Sequence, residues 1–248
     1  MRRRPILCAN WKSKIESLEI VTAYVEEFKK VDGDSLDKLD VVFFPSALYA
    51  LELSRAFKEL PSVHVGAQQV SHVNGSGTLM GDITAAAAAD VGCTWAIVGQ
   101  SDRRHKVGEP AEVLAGKLTQ ALGAGLHVIF CIGELLEERE EGRSMDVLQE
   151  QLAVISDDMV GDWSKFTIVY EPAWAMGTGV TATFHQAQEV HSAIRQSLQE
   201  RFPAASEVVR ILYGGHVNPM SAKSFIGQQD IDGFFLPGTR PQDVAGVV

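Results

Sequence analysis

The feature that most restricts how this chain can fold is a rhythm of eight short apolar runs separated by longer stretches of helical character. The runs are Pro5–Ala9, Val41–Phe44, Val63–Ala67, Trp95–Val98, His127–Ile132, Thr167–Tyr170, Val209–Tyr213 and Ile231–Leu236. Each is continuous rather than alternating, the pattern of parallel strands covered on both faces. Between them, Ile15 to Lys30 sets Leu18, Val21, Tyr24 and Phe28 at helical spacing, and Glu109–Leu122 and Phe184–Leu198 do the same. Thr84 ahead of five alanines reads as a capped short helix. Eight β–α alternations with no linker or composition break predict one closed (β/α)₈ barrel over residues 1–248, an α/β fold whose usual size is about 250 residues. An open doubly wound sheet competes, but no G-x-G-x-x-G follows the first run.

Charge and cysteine usage narrow the function classes. A net charge of −10 repels nucleic acid and anionic membranes, so neither is expected as a partner, although a local pocket for a small anion is compatible with it. Cys8, Cys93 and Cys131 form no C-x-x-C and no zinc spacing, and are expected to be buried, reduced thiols. The basic start Met1-Arg2-Arg3-Arg4-Pro5 leads only into Ile6–Ala9, too short for a signal peptide's apolar core, and no run reaches transmembrane length. The expected location is the cytoplasm.

In such a barrel the chemistry sits where strands end at their C-termini. The residues there are Asn10–Lys12, Gln68–Gln69, Gly99–Arg104, Gly133–Glu134, Glu171–Gly179, Gly214–His216 and Pro237–Gly238. A lysine and glycine-rich backbone suit an anion, and a carboxylate at a strand end suits a base. No His/Asp ligand set for a metal stands at these ends, and no carboxylate pair for glycoside hydrolysis. His105 reads as a solvated loop residue.

Five segments then carry a resemblance. Asn10-Trp11-Lys12, Gly99-x-Ser101-x-Arg103-Arg104, Cys131-Ile132-Gly133-Glu134, Tyr170-Glu171-Pro172-x-Trp174-Ala175-x-Gly177-Thr178-Gly179 and Tyr213-Gly214-Gly215 resemble the triosephosphate isomerase family, in the family's order and across essentially the whole chain. The resemblance implies cofactor-free, metal-free interconversion of two triose phosphates, in a homodimer. By the same resemblance Glu171 is the base, Lys12 sits near the developing enediolate, Asn10 belongs to the same catalytic segment, and Gly177, Gly215, His216 and Gly238 lie at the phosphate.

The departures cluster at the same strand ends. The family's Gly-His-Ser-Glu-Arg-Arg reads Gly99-Gln100-Ser101-Asp102-Arg103-Arg104, so Gln100 stands where the family has its catalytic histidine. A carboxamide donates a hydrogen bond but cannot titrate near neutrality. Asp102 replaces a glutamate and is one methylene shorter, which leaves its reach to Lys12 open. His216 replaces a serine; it is read as an anion ligand or, preferably, as a side chain filling the pocket. Pro237 replaces a glycine and has no N–H to offer a phosphate. The dimer loop, residues 74–82, is about two residues longer than the family's by hand alignment, with Met80 where a threonine would reach across and Ser13-Lys14-Ile15 in the receiving stretch. Two functions stay open: a strongly impaired or altered isomerase acting on a small phosphorylated metabolite, or a catalytically inactive barrel used for binding, regulation or assembly.

Overall fold

Eight parallel strands close into a barrel in sequence order: β1 (Ile6–Asn10), β2 (Asp40–Phe44), β3 (Val63–Ala67), β4 (Trp95–Val98), β5 (His127–Ile132), β6 (Phe166–Tyr170), β7 (Arg210–Tyr213) and β8 (Gly233–Pro237), with β8 pairing back onto β1. The computed structural model describes residues 3–15, 17–75, 79–175, 182–237, 244, 246 and 247. Closure leaves no unpaired strand edge and rules out the open sheet. Three of the eight runs match their strands residue for residue; the others shift by one or two positions. Two of those shifts matter. Asn10 and Pro237 are not loop residues after their strands but the last residues of β1 and β8, and they face each other in register.

The connecting layer is α1 (Leu18–Phe28), α2 (Gly33–Leu36), α3 (Ala50–Ala56), α4 (Ala85–Asp90), α5 (Ala111–Gly123), α6 (Leu136–Glu140), α7 (Ser144–Leu152), α8 (Phe184–Arg201), α9 (Pro203–Ser206) and α10 (Pro219–Ile226). Thr84 caps α4 as expected, accepting from the Ala87 N–H at 3.1 Å. Ser17 and Thr183 cap α1 and α8 in the same way.

The core divides in two. Leu7, Ala9, Phe43, Val128, Phe130, Ile168 and Ile211 point outward and pack under the helices. The alternate residues Ile6, Cys8, Val42, Phe44, Ile97, Ile129, Cys131, Val169, Leu212 and Phe235 fill the barrel itself. The three cysteines are free and buried, and burial pushes their thiols up, Cys93 to about 11. They are therefore packing groups rather than nucleophiles.

The floor of the barrel is sealed. Asp40 bridges Arg4 and Arg210, the Arg210 guanidinium lies 5.4 Å from the Trp95 ring, and Trp95 stacks on His127 at 4.6 Å. Only the opposite end, where the strand C-termini converge, is left for chemistry.

Candidate active site

Lys12 follows β1 with φ of 50°, making it the one described non-glycine residue in the left-handed region. Such a conformation costs roughly 1–3 kcal/mol and persists only where neighbours enforce it. Here the neighbours are two amides. The Lys12 N–H donates to Asn10 Oδ1 at 2.9 Å, and Gln68 Nε2 donates to the Lys12 carbonyl at 2.8 Å and to the Phe44 carbonyl at 3.0 Å. Asn10 is buried and acts on the lysine's backbone, so it is a positioning residue. Gln68, among the strand-end residues but given no role by the sequence, clamps the same turn from β3.

The Lys12 ammonium meets Asp102 Oδ2 at 2.7 Å. The shorter side chain therefore reaches, which settles the point the sequence left open. Asp102 begins the turn at the end of β4, and this turn continues as a π-helical stretch, Arg103–Val107, ended by Gly108 in the left-handed region. The other oxygen of Asp102 takes Lys106 at 2.7 Å. These two ammonium groups, Lys106 first, hold the Asp102 carboxyl below its ordinary range.

Glu171 follows β6 and is only 3% exposed. Its N–H donates to the Ile132 carbonyl at 2.8 Å, and its carboxylate accepts from the Ser101 N–H at 2.9 Å. Two glycines make that placement possible. A Cβ on Gly133 would lie 1.7 Å from the Glu171 carbonyl oxygen, and one on Gly214 would lie 3.0 Å from Glu171 Cγ. Gly133 is itself held on both sides by Gln151, whose side chain bonds its N–H at 2.8 Å and its carbonyl at 2.9 Å. No sequence signal marks Gln151, a helical residue of α7.

Burial raises the Glu171 carboxyl to about 7; the Ser101 N–H and the Lys12 charge oppose that rise, and Asp102 adds to it. A carboxyl held near neutrality at a strand end is suited to taking and returning a proton. Gln100 is 8% exposed, and its Nε2 is buried without a hydrogen-bond partner. An amide donor left unpaired at a strand end invites a ligand oxygen.

The chain leaving Glu171 is anchored before it enters residues 176–181. Tyr170 donates to Glu134 at 3.0 Å, Arg139 reaches the same carboxylate at 3.1 Å and lies 4.5 Å from the Trp174 ring, and the Trp174 N–H donates to the Glu134 carbonyl at 3.3 Å. Gly177 and Gly238 lie outside the described residues. Gly215 is buried beside the Tyr213 ring, while His216 is exposed. His216 thus does not fill the pocket, contrary to the preferred expectation, because the turn after β7 directs it to solvent. His105 is exposed, as expected. Among the described residues no group of three or more His, Cys, Asp or Glu side chains converges to hold a metal ion, and no helix is long and apolar enough to cross a membrane.

Comparison with known proteins agrees with this geometry. The family model of triosephosphate isomerase matches residues 5–242. A triosephosphate isomerase of Coprinopsis cinerea is 42% identical over 96% of this chain and 94% of its own length. One of Pseudomonas putida is 37% identical over 95% and 93%. A chloroplastic one of Secale cereale is 38% identical over 92% and 75%. With a match that spans all eight strands and every strand end described above, the chain belongs to the triosephosphate isomerase family.

Proposed function

We propose that this chain is an aldose–ketose isomerase of a triose phosphate or similar small sugar phosphate, working far more slowly than family members that carry the histidine. Glu171 removes the proton from the carbon next to the carbonyl, and the electron pair moves onto the carbonyl oxygen. Lys12 and the Gln100 amide stabilise the resulting enediolate. Returning the proton to the neighbouring carbon completes the isomerisation. Gln100 can donate to an oxygen but cannot hand over a proton, so movement of protons between the two oxygens falls to Glu171 or water. The observation that carries this reading is the buried Glu171 carboxyl, held near neutrality beside the Lys12 charge.

Gly215 and His216, with Gly177 and Gly238, are assigned to the phosphate, and no cofactor or metal is required. A non-catalytic binding role is the second reading. It is favoured by Pro237, which ends β8 without an N–H for the phosphate whose binding energy such enzymes use to assemble the site. We also assign the chain to the cytoplasm, in keeping with its free buried thiols. A homodimer packed through residues 74–82 is supported by Leu79 and Met80, both exposed.

The test is a coupled triosephosphate isomerase assay on the wild type, Gln100→His and Glu171→Ala. Wild-type turnover is expected to be low, Gln100→His to raise it about 10²–10³-fold, and Glu171→Ala to abolish it. Wild-type turnover near that of a histidine-bearing relative would reject the impairment. Inactivity of all three proteins, with no binding of 2-phosphoglycolate, would establish the non-catalytic reading.

A further inference from the structure

The pairing of Lys12 with Asp102 poses an electrostatic problem. A lysine that must attract an anion is bound to a carboxylate, and the pair together carries no net charge. Both partners are about one-third exposed, so the pair sits at the mouth of the site rather than beneath it. Lys106 changes the balance. It stands four residues beyond Asp102 on the π-helical turn, and its ammonium lies 2.7 Å from Asp102 Oδ1 while Lys12 occupies Oδ2 at the same distance. The two lysines therefore divide one carboxylate between its two oxygens.

We infer that Lys106 is a positioning residue for the isomerase site: it fixes the Asp102 carboxylate from the far side and leaves the Lys12–Asp102–Lys106 group with one net positive charge facing an incoming phosphorylated substrate. This rests on the isomerase reading above. Without Lys106, the Lys12–Asp102 pair that remains carries no net charge, and nothing holds the second Asp102 oxygen away from Lys12. In a chain of net charge −10, a local cation of this kind is what brings a dianion to the site. Lys106 is 78% exposed, so its effect passes through solvent and is screened by salt.

The test compares Lys106→Met and Lys106→Arg with the wild type by three measurements: calorimetric binding of 2-phosphoglycolate at low salt and at about 0.3 M salt, steady-state kinetics, and NMR titration of the Asp102 carboxyl without ligand. Lys106→Met is expected to weaken binding about two- to fivefold at low salt, the size of one exposed charge acting over a few ångströms. That deficit closes at high salt, KM rises by a similar factor while kcat changes less, and Asp102 titrates at higher pH. Lys106→Arg restores all of these. Wild-type affinity in Lys106→Met at low salt, or an unmoved Asp102 titration, overturns the role of Lys106 and leaves the isomerase reading standing. A wild-type chain that binds no 2-phosphoglycolate sinks both.

Discussion

At the scale of single residues, the site sets one carboxyl against its surroundings. Burial favours the neutral form of Glu171, and the Ser101 N–H with the Lys12 charge recovers only part of the loss. Two consequences follow from the carboxyl at about 7. Because the proposed base would act ionised, kcat/KM should rise about tenfold per pH unit below that value and level off above it, as a pH–rate profile would show. Stability should move the other way. A carboxyl whose folded-state pKa lies above the unfolded one binds more protons when folded, so its contribution is full below about 4.5 and is lost as pH climbs through about 7. Glu171→Gln should therefore match the wild type in denaturant melts at pH 4.5 and exceed it above pH 7, by at most about 3 kcal/mol. An equal difference at both pH values would mean that the carboxyl is not strained by burial. Sequence position already marks Glu171, Lys12 and Asp102. Only the folded chain shows the unpaired Gln100 amide and the exposed His216.

At the scale of elements, the chain junctions set the precision of the site. The end of β5 and the start of the segment after β6 touch backbone to backbone at Gly133, where a Cβ would overlap the Glu171 carbonyl oxygen at 1.7 Å. Gly133→Ala should cost more than about 3 kcal/mol and remove activity, since relief requires moving the base itself. Gly123, at the end of α5, has nothing within 4 Å of its absent Cβ. Gly123→Ala should be neutral or stabilising by about 0.5–1 kcal/mol. Thermal melts of the two variants separate a packing requirement from a general intolerance of alanine. The strands and the Thr84 cap are legible in the sequence because they rest on local pattern. Gln68 and Gln151 are not legible, because their roles are hydrogen bonds to backbone 56 and 18 residues away.

At the scale of the whole molecule, the apolar surface is distributed unevenly. Of the ten large apolar side chains exposed among the described residues, six, namely Leu18, Ile20, Leu48, Leu51, Leu79 and Met80, lie on the connections after β1, β2 and β3. Those strands are neighbours in the barrel, so the six share one side. This distribution is in keeping with the homodimer proposed above. Leu48→Asp together with Met80→Asp should shift the proposed dimer to monomer in sedimentation velocity while the far-ultraviolet circular dichroism spectrum stays unchanged. A wild-type monomer at micromolar concentration would end the dimer proposal.

The sequence by itself determined the barrel, since eight continuous apolar runs alternating with helices have few other ways to bury themselves, and it marked the strand ends at which the candidate site residues stand. Tertiary structure alone decided how those ends meet. Asp102 reaches Lys12 across the barrel mouth although it is one methylene shorter, two glycines let backbones close around Glu171, and Lys106 joins the same carboxylate. Each of these depends on distances between segments far apart in the chain. Periodicity and motif record what a residue is and which way its strand runs, whereas a distance of 2.7 Å across 90 residues exists only once the barrel has closed.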